Sequence, residues 1–155
     1  MITKIRGYIA VCFASGVIGA LAVVTFSVVL YYAGVSPLMG VTTPPKLTSP
    51  EIYRPLFWGG LWGIPFAIIT WKRPNHYCLI GWLYFLAPVL ALYFFFLPKG
   101  GLGFFGLTKG LPFTFYLLVV NVPFGIVTAL LARWLWAEVS SQRSEVSGVP
   151  ANHAN

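Results

Sequence analysis

Four long stretches without a charged residue constrain this chain more than any other feature. They cover residues 8–33, 55–71, 77–98 and 110–132. A helix rises about 1.5 Å per residue, so about 20 apolar residues cross a hydrocarbon core of about 30 Å. The second stretch is long enough if it begins at residue 53, with the charge of Arg54 reaching the lipid headgroups. The sequence therefore predicts an all-α membrane protein with four transmembrane helices, over about 8–33, 53–71, 77–98 and 110–132.

The composition excludes a water-soluble domain. Of the 155 residues, 58% are hydrophobic and 8% are charged, whereas about a quarter of the residues of a soluble domain are charged. The net charge of +7 at pH 7 would suggest nucleic-acid binding in a soluble domain. Here the basic residues lie in short clusters beside the apolar stretches, where they set the orientation and meet lipid headgroups. We therefore expect membrane lipid, and not nucleic acid, as a partner.

Lysine and arginine favour one orientation in the membrane. Residues 1–7, 72–76 and 133–143 hold six of the ten, and the two longer loops hold four. Cytoplasmic segments carry the excess of basic residues, so both termini and the short turn at 72–76 are predicted to lie in the cytoplasm of a bacterial inner membrane. The first stretch is too long for a cleaved signal peptide and predicts an uncleaved signal anchor. Residues 1–139 then form one transmembrane domain, and the polar residues 140–155 form a disordered cytoplasmic tail.

The two halves of the chain contain related sequences. Residues 64–70, Ile-Pro-Phe-Ala-Ile-Ile-Thr, match residues 122–128, Val-Pro-Phe-Gly-Ile-Val-Thr, position by position in chemical type. Each half is therefore predicted to be one helical hairpin, and a pseudo-two-fold axis along the membrane normal should relate the two tandem hairpins. Pro65 and Pro123 each remove one backbone hydrogen bond and predict paired kinks. Such kinks either line a substrate path or only tilt the helices.

Small residues four positions apart occur in three of the predicted helices: Gly16 and Ala20, Gly59 and Gly63, and Gly125 and Ala129. Pairs of this kind let two helix backbones approach closely in a membrane. The sequence leaves open whether the close approach occurs within one chain or in a homo-oligomer.

The apolar stretches contain no Asp, Glu, Lys, Arg or His. Such residues would indicate a proton or ion pathway, or haem ligation. The two cysteines, Cys12 and Cys78, lack the spacing of a metal site. We therefore predict no catalytic residue, no metal site and no cofactor.

Asn121 is the one strongly polar side chain deep within a predicted span. Its amide is expected to bond either to a backbone carbonyl freed by Pro123 or to a side chain of a neighbouring helix. Alternatively, Asn121 lines a polar path together with Thr70 and Thr128.

The predicted outer face carries five charged residues: Lys46, Glu51, Arg54, Lys99 and Lys109. These residues either anchor the helix ends at the headgroups or attract an anionic headgroup or partner. On the same side, residues 100–107 are too apolar for an ordinary loop and predict a segment that lies in the membrane interface or dips into it.

One part of the chain resembles a known family. Residues 37–45, Pro-Leu-Met-Gly-Val-Thr-Thr-Pro-Pro, are followed by Glu51 and by residues 57–62, Phe-Trp-Gly-Gly-Leu-Trp. This run resembles the YagU-like bacterial inner-membrane proteins, which carry a similar run of proline, small residues and threonine just outside a span. The resemblance covers about residues 37–62 and implies a bacterial inner-membrane location. That family has no established chemistry, so the resemblance implies no site residue.

Two functions fit these patterns. The first is a non-enzymatic protein that acts by helix packing, as an accessory subunit or a scaffold, in a homo-oligomer or a larger membrane complex. The second is a small carrier or channel for a neutral or weakly polar solute, built from the two hairpins. A membrane-embedded enzyme, or a protein that binds quinone or pigment, would rest only on the aromatic content of 17%, which membrane-interface and core positions already explain.

Overall fold

The computed structural model describes residues 2–73 and 76–147, with the side chains of residues 4–73 and 76–142. All regular secondary structure within these ranges is helical, which confirms the predicted all-α class. The α-helices are α1 (Ile2–Tyr32), α2 (Val35–Leu38), α3 (Ser49–Lys72), α4 (Tyr77–Leu83), α5 (Leu86–Ala91), α6 (Leu97–Lys99) and α7 (Leu111–Ser147). A π-helical turn, Leu92–Phe96, joins α5 to α6, and a 3-10 helix, Phe104–Lys109, precedes α7.

Three helical segments are long and apolar enough to cross a membrane: Lys4–Tyr32, Tyr77–Lys99 and Leu111–Gln142. They contain the first, third and fourth predicted spans. Helix α3 covers the second predicted span, and its 24 residues give it a length of about 36 Å. Its glycine, proline and tryptophan residues lower its mean hydropathy, and it is not among the three apolar segments.

The long helices pack side by side with alternating directions. Near the start of α1, the Tyr8 ring lies 5.5 Å from the Trp71 ring near the end of α3 and 5.1 Å from the Trp136 ring of α7. Farther along α1, Ala20 meets Gly59 in the first half of α3. Gly19, also farther along α1, meets Thr128, which precedes Trp136 in α7. Both α3 and α7 therefore run antiparallel to α1. The third apolar segment also runs antiparallel to α7, because Gly81 meets Ala129 while the Tyr93 hydroxyl donates to the Thr114 carbonyl oxygen.

This arrangement places the charged residues at two opposite ends of the bundle. One end, which we call the basic end, carries Lys4, Arg6, Lys72, Arg73 and Arg133, all of them exposed. The other end, which we call the loop end, contains residues 33–48 and 100–110. The five charged residues predicted for the outer face all lie at or near the loop end. The two groups of charged residues that were used to predict the orientation thus lie at opposite ends of the folded bundle.

The third apolar segment is not one regular helix. Helix α4 ends at Leu83, and α5 begins only after a turn at Tyr84 and Phe85. Pro88 has no N–H to donate to the Tyr84 carbonyl oxygen, which instead accepts a hydrogen bond of 3.0 Å from the Ala87 N–H. The sequence analysis did not predict this break.

The two prolines for which kinks were predicted behave differently from Pro88. Helices α3 and α7 continue through Pro65 and Pro123 without a break. Helix α7 also continues to Ser147, beyond Ser140, where the predicted disordered tail begins. The rest of that predicted tail, residues 148–155, lies outside the described residues.

Candidate functional site

Glycine and other small residues form the closest helix contact, between α1 and α3. Gly16 lies against the carbonyl of Gly59, and Gly63 lies against the carbonyl of Cys12. A Cβ at residue 63 would be only 2.9 Å from the Phe13 Cα, well inside an ordinary contact, so the two backbones could not approach this closely with larger residues.

A second contact of the same kind joins α4 to α7. Gly81 lies against Ala129, and a Cβ at residue 125 would be 2.9 Å from the amide nitrogen of Phe85. All three pairs of small residues found in the sequence are therefore used for packing within one chain. These faces are not free to form a dimer in the folded protein.

Two hydroxyl groups form a hydrogen bond between α1 and α3, near the basic end. The Tyr8 hydroxyl and Thr70 Oγ1 are 2.8 Å apart, and the Thr70 hydroxyl donates to the Phe66 carbonyl oxygen at 2.7 Å. Tyr8 therefore donates to Thr70, which completes the polar contacts of both hydroxyls in a buried position. This bond joins two helices, as polar side chains do in membrane bundles.

Thr128 occupies the matching position of the repeat but has a different environment. It is fully buried, and its Oγ1 has no hydrogen-bond partner among the described residues. Thr128 Oγ1 lies against Gly19 of α1, and a Cβ at residue 19 would contact both Thr128 and Phe124. The two predicted threonines are thus both buried, but one has bonding partners and the other has none.

Tyr84 lies between the phenylalanines of the two repeated sequences. Its ring is 4.9 Å from the Phe66 ring and 6.3 Å from the Phe124 ring, both measured between centroids. Its hydroxyl donates to the carbonyl oxygen of Trp62, at 2.6 Å, beside the place where Pro65 interrupts the hydrogen-bond ladder of α3. Tyr84 therefore links the third apolar segment to α3 and brings both repeats into one core.

Asn121 does not link two helices in this structure. Its side-chain nitrogen donates to the carbonyl oxygen of Leu117 at 2.7 Å, one turn earlier in α7. The predicted partners, a carbonyl freed by Pro123 or a neighbouring side chain, are not those found. Asn121 is half-buried, and its amide is bonded within its own helix.

The five predicted outer-face charges are all exposed. The Lys109 ammonium lies 5.3 Å from the centre of the Phe113 ring, a distance at which a cation–π contact forms. Within residues 2–73 and 76–147, no group of three His, Cys, Asp or Glu side chains is placed to hold a metal ion.

An exposed aromatic patch at the loop end consists of Phe94, Phe104, Phe105 and Leu107. The Phe94 ring lies 5.1 Å from the Phe105 ring and 6.2 Å from the Phe104 ring. Phe105 has a left-handed backbone (φ 59°), which is unfavourable for a bulky residue. The Thr114 hydroxyl donates to its carbonyl oxygen at 2.8 Å and helps to hold this conformation.

The predicted interfacial segment packs against the neighbouring helices. The glycines on either side of Phe104 allow the chain to fold back, and Gly106 lies against the side chains of Phe113 and Leu97. The segment therefore packs against α6 and the start of α7.

A groove of about 190 Å³ opens at the basic end between α1 and α3. Its walls are apolar, and Lys72 contributes to them only with the apolar part of its side chain. The lining residues are Ile5, Tyr8, Ile9, Ala67, Ile68, Trp71 and Lys72. The glycine contact draws the two helices together in the middle of the bundle, and the small side chain of Ala67 leaves the space open nearer the end.

The sequence analysis missed Tyr8 and Tyr84, whose hydroxyls join helices. A tyrosine within an apolar span carries a polar group that needs a partner, and this is the signal that could have identified them. It would not have identified the partners, which depend on how the helices pack. Comparison with protein-family models, with curated proteins and with solved structures found no match to this chain.

Proposed function

We propose that α3 is a fourth transmembrane helix and that the chain spans a bacterial inner membrane with both termini in the cytoplasm. Helix α1 begins at the basic end, and the third apolar segment begins there too, with Tyr77 next to Phe66. If both segments cross the membrane, the chain between them has to cross back. Helix α3 is the long helix in that interval. The excess of Lys and Arg at the basic end supports a cytoplasmic location for that end.

A cysteine-accessibility scan in intact cells tests this topology. Single cysteines are placed at Lys46 and at Arg73, in a chain whose native Cys12 and Cys78 are replaced by alanine. We expect a membrane-impermeant maleimide to label position 46 in intact cells and position 73 only after the membrane is opened. Labelling of position 73 in intact cells would contradict the proposal.

The repeated sequences support an origin of the bundle from two tandem hairpins. Phe66 and Phe124 are both buried against Tyr84, and Thr70 and Thr128 are both buried. These equivalent positions favour a pseudo-two-fold axis along the membrane normal.

The bundle acts as a non-enzymatic accessory subunit or scaffold that packs against another membrane protein. The observation that carries this proposal is the aromatic patch at the loop end. Phe104 is 59% exposed and Leu107 is 52% exposed, although both lie in a connection between helices. Contiguous exposed apolar residues of this kind mark interaction surfaces. Phenylalanine is also enriched in the buried centre of protein interfaces.

The packing of the interior favours the same function. The buried polar side chains are serines and threonines, and no Asp, Glu, Lys, Arg or His is buried among the residues with described side chains. The small-residue faces already pack within the chain. Any larger assembly therefore has to use the outer surface, of which the aromatic patch is the part that differs from ordinary lipid-facing helix.

Gentle extraction from the host membrane, followed by native mass spectrometry, tests the accessory function. We expect the wild-type chain to carry a second protein at fixed stoichiometry. The variants Phe94→Ala and Phe104→Ala should lose this protein, because they remove the aromatic rings of the patch. Leu130→Ala is the matched control, since Leu130 is 65% exposed on α7 but lies outside the patch. A wild-type chain that is isolated alone, or only with copies of itself, would contradict the proposal.

A carrier for a small neutral solute is the second candidate. The unpartnered Thr128 hydroxyl favours it, because a buried hydroxyl without a hydrogen bond is unusual and a polar solute could supply one. Swelling of proteoliposomes in glycerol or urea measures such transport. A carrier would swell faster than empty vesicles and would lose this activity in Thr128→Val. Equal swelling with and without the protein would eliminate this candidate for those solutes.

A further inference from the structure

We propose that the groove at the basic end holds one anionic phospholipid, with an acyl chain between α1 and α3 and the phosphate at Lys72. This inference rests on the proposed placement of the bundle in a bacterial inner membrane. It assigns a ligand to a site that is separate from the aromatic patch.

The shape and chemistry of the groove suit an acyl chain. Ile5, Ile9 and Ile68 form its sides, and the space between them is open toward the outside of the bundle. At its floor lies Ala67, which is only 1% exposed. A space of about 190 Å³ lined by hydrocarbon is too small for a packed helix but accepts the upper part of one lipid tail.

Two residues at the edge of the groove suit a phosphate group. Lys72 lines the edge and carries a positive charge, and Trp71 beside it has an indole N–H of the kind that lies at headgroup level in membranes. The groove wall itself is apolar, so the headgroup of a lipid whose tail occupies the groove lies outside it, where the long, flexible Lys72 side chain can reach the phosphate.

Charge at the basic end favours an anionic lipid over a neutral one. Lys4 and Arg6 flank Ile5 in sequence, and Arg73 follows Lys72. Among the described side chains, Glu138 is the acidic residue at this end, so positive charge predominates. Each basic residue near an anionic lipid surface strengthens binding by about fivefold.

The test uses the full chain in mild detergent, mixed with equal amounts of phosphatidylglycerol and phosphatidylcholine that have identical acyl chains. Native mass spectrometry counts the lipids that the protein retains. We expect one phosphatidylglycerol per chain, retained at least fivefold more often than phosphatidylcholine. Lys72→Gln should lower this preference by about fivefold, and Lys72→Arg should keep it. Lys99→Gln is the matched control, because it removes an exposed lysine at the loop end and should change nothing.

Two results would overturn the lipid site. One is equal retention of both lipids by the wild-type chain. The other is an equal loss of preference in Lys72→Gln and Lys99→Gln, which would show a general charge effect.

A second measurement locates the tail and does not depend on any lysine variant. Phosphatidylglycerol with brominated acyl chains should quench less tryptophan fluorescence in Trp71→Phe than in wild type, and equal quenching would place the tail elsewhere. Neither assay requires a partner protein. The lipid site can therefore fail its test while the accessory function passes its own, and the reverse.

Discussion

The contact between α1 and α3 makes a quantitative prediction for Gly16→Ala. A Cβ at residue 16 would lie 3.1 Å from the carbonyl carbon of Gly59 and 3.2 Å from the amide nitrogen of Gly63. It would lie still closer to the Gly59 carbonyl oxygen. These are backbone atoms that cannot rotate away, so the two helices have to separate. Overpacking of this kind lowers the free energy of unfolding by about 1–3 kcal/mol.

Part of this loss is offset, because alanine in a helix is more stable than glycine by about 0.5–1 kcal/mol. We therefore expect Gly16→Ala to lower the free energy of unfolding by about 0.5–2 kcal/mol. Gly7→Ala, in the same helix, is the control. The nearest atom to its Cβ would be a ring carbon of Trp136 at 3.6 Å, an ordinary contact, so this variant should be as stable as wild type or more stable.

The assay is unfolding in mixed micelles with an increasing fraction of dodecyl sulfate, followed by tryptophan fluorescence and by helical circular dichroism. We expect a lower unfolding midpoint for Gly16→Ala than for Gly7→Ala. If the two variants unfold at the same midpoint, the close approach of α1 and α3 is not as described.

Three further predictions use the same unfolding assay. Thr70→Val should destabilise the bundle by about 1 kcal/mol because it breaks a hydrogen bond between helices. Thr128→Val should leave stability unchanged or raise it, because it removes an unpartnered hydroxyl. Equal effects of the two substitutions would contradict the difference between the two sites. Tyr84→Phe should lower stability by about 0.6–1.5 kcal/mol, since a carbonyl of α3 loses its donor, and an unchanged midpoint would show that the bond contributes nothing. Asn121→Leu should leave membrane abundance at the wild-type level, or lower the free energy of unfolding by about 1 kcal/mol at most, since its bond lies within one helix.

Much of the fold follows from the sequence because hydrocarbon imposes a simple rule. Every backbone group in the membrane needs a partner, so long apolar stretches form helices. This rule predicted α1 and α7, and it predicted where the third apolar segment ends. It also predicted the helical region of α3, although glycine and tryptophan make that helix less apolar than the others.

Details that depend on proline position and helix register were not predictable in the same way. One helix breaks before Pro88, where no break was predicted, whereas α3 and α7 continue through Pro65 and Pro123. All three residues lack the same N–H. Whether a helix continues depends on which neighbouring groups pack around the proline, and a single sequence does not contain that information.

The candidate sites were also predictable only in part from the sequence. Thr70 and Thr128 were selected from the sequence because both end a repeated motif, but neither their burial nor their different hydrogen bonding was predicted. The hydrogen bonding depends on Tyr8 facing Thr70 and on Gly19 facing Thr128. The groove at the basic end was not predicted either, because it is formed by residues from two helices that are about sixty positions apart.

The glycine contact also determines an order of assembly. Helices α1 and α3 are synthesised before residue 73, so all the atoms of their contact have left the ribosome while the second half of the chain is still being made. We expect this hairpin to form first and to serve as a template. The face of α1 that carries Gly19 gains its contact with Thr128 only after more than a hundred further residues have been made. Until α7 is made, that strip of α1 lacks the side chains that cover it in the folded protein.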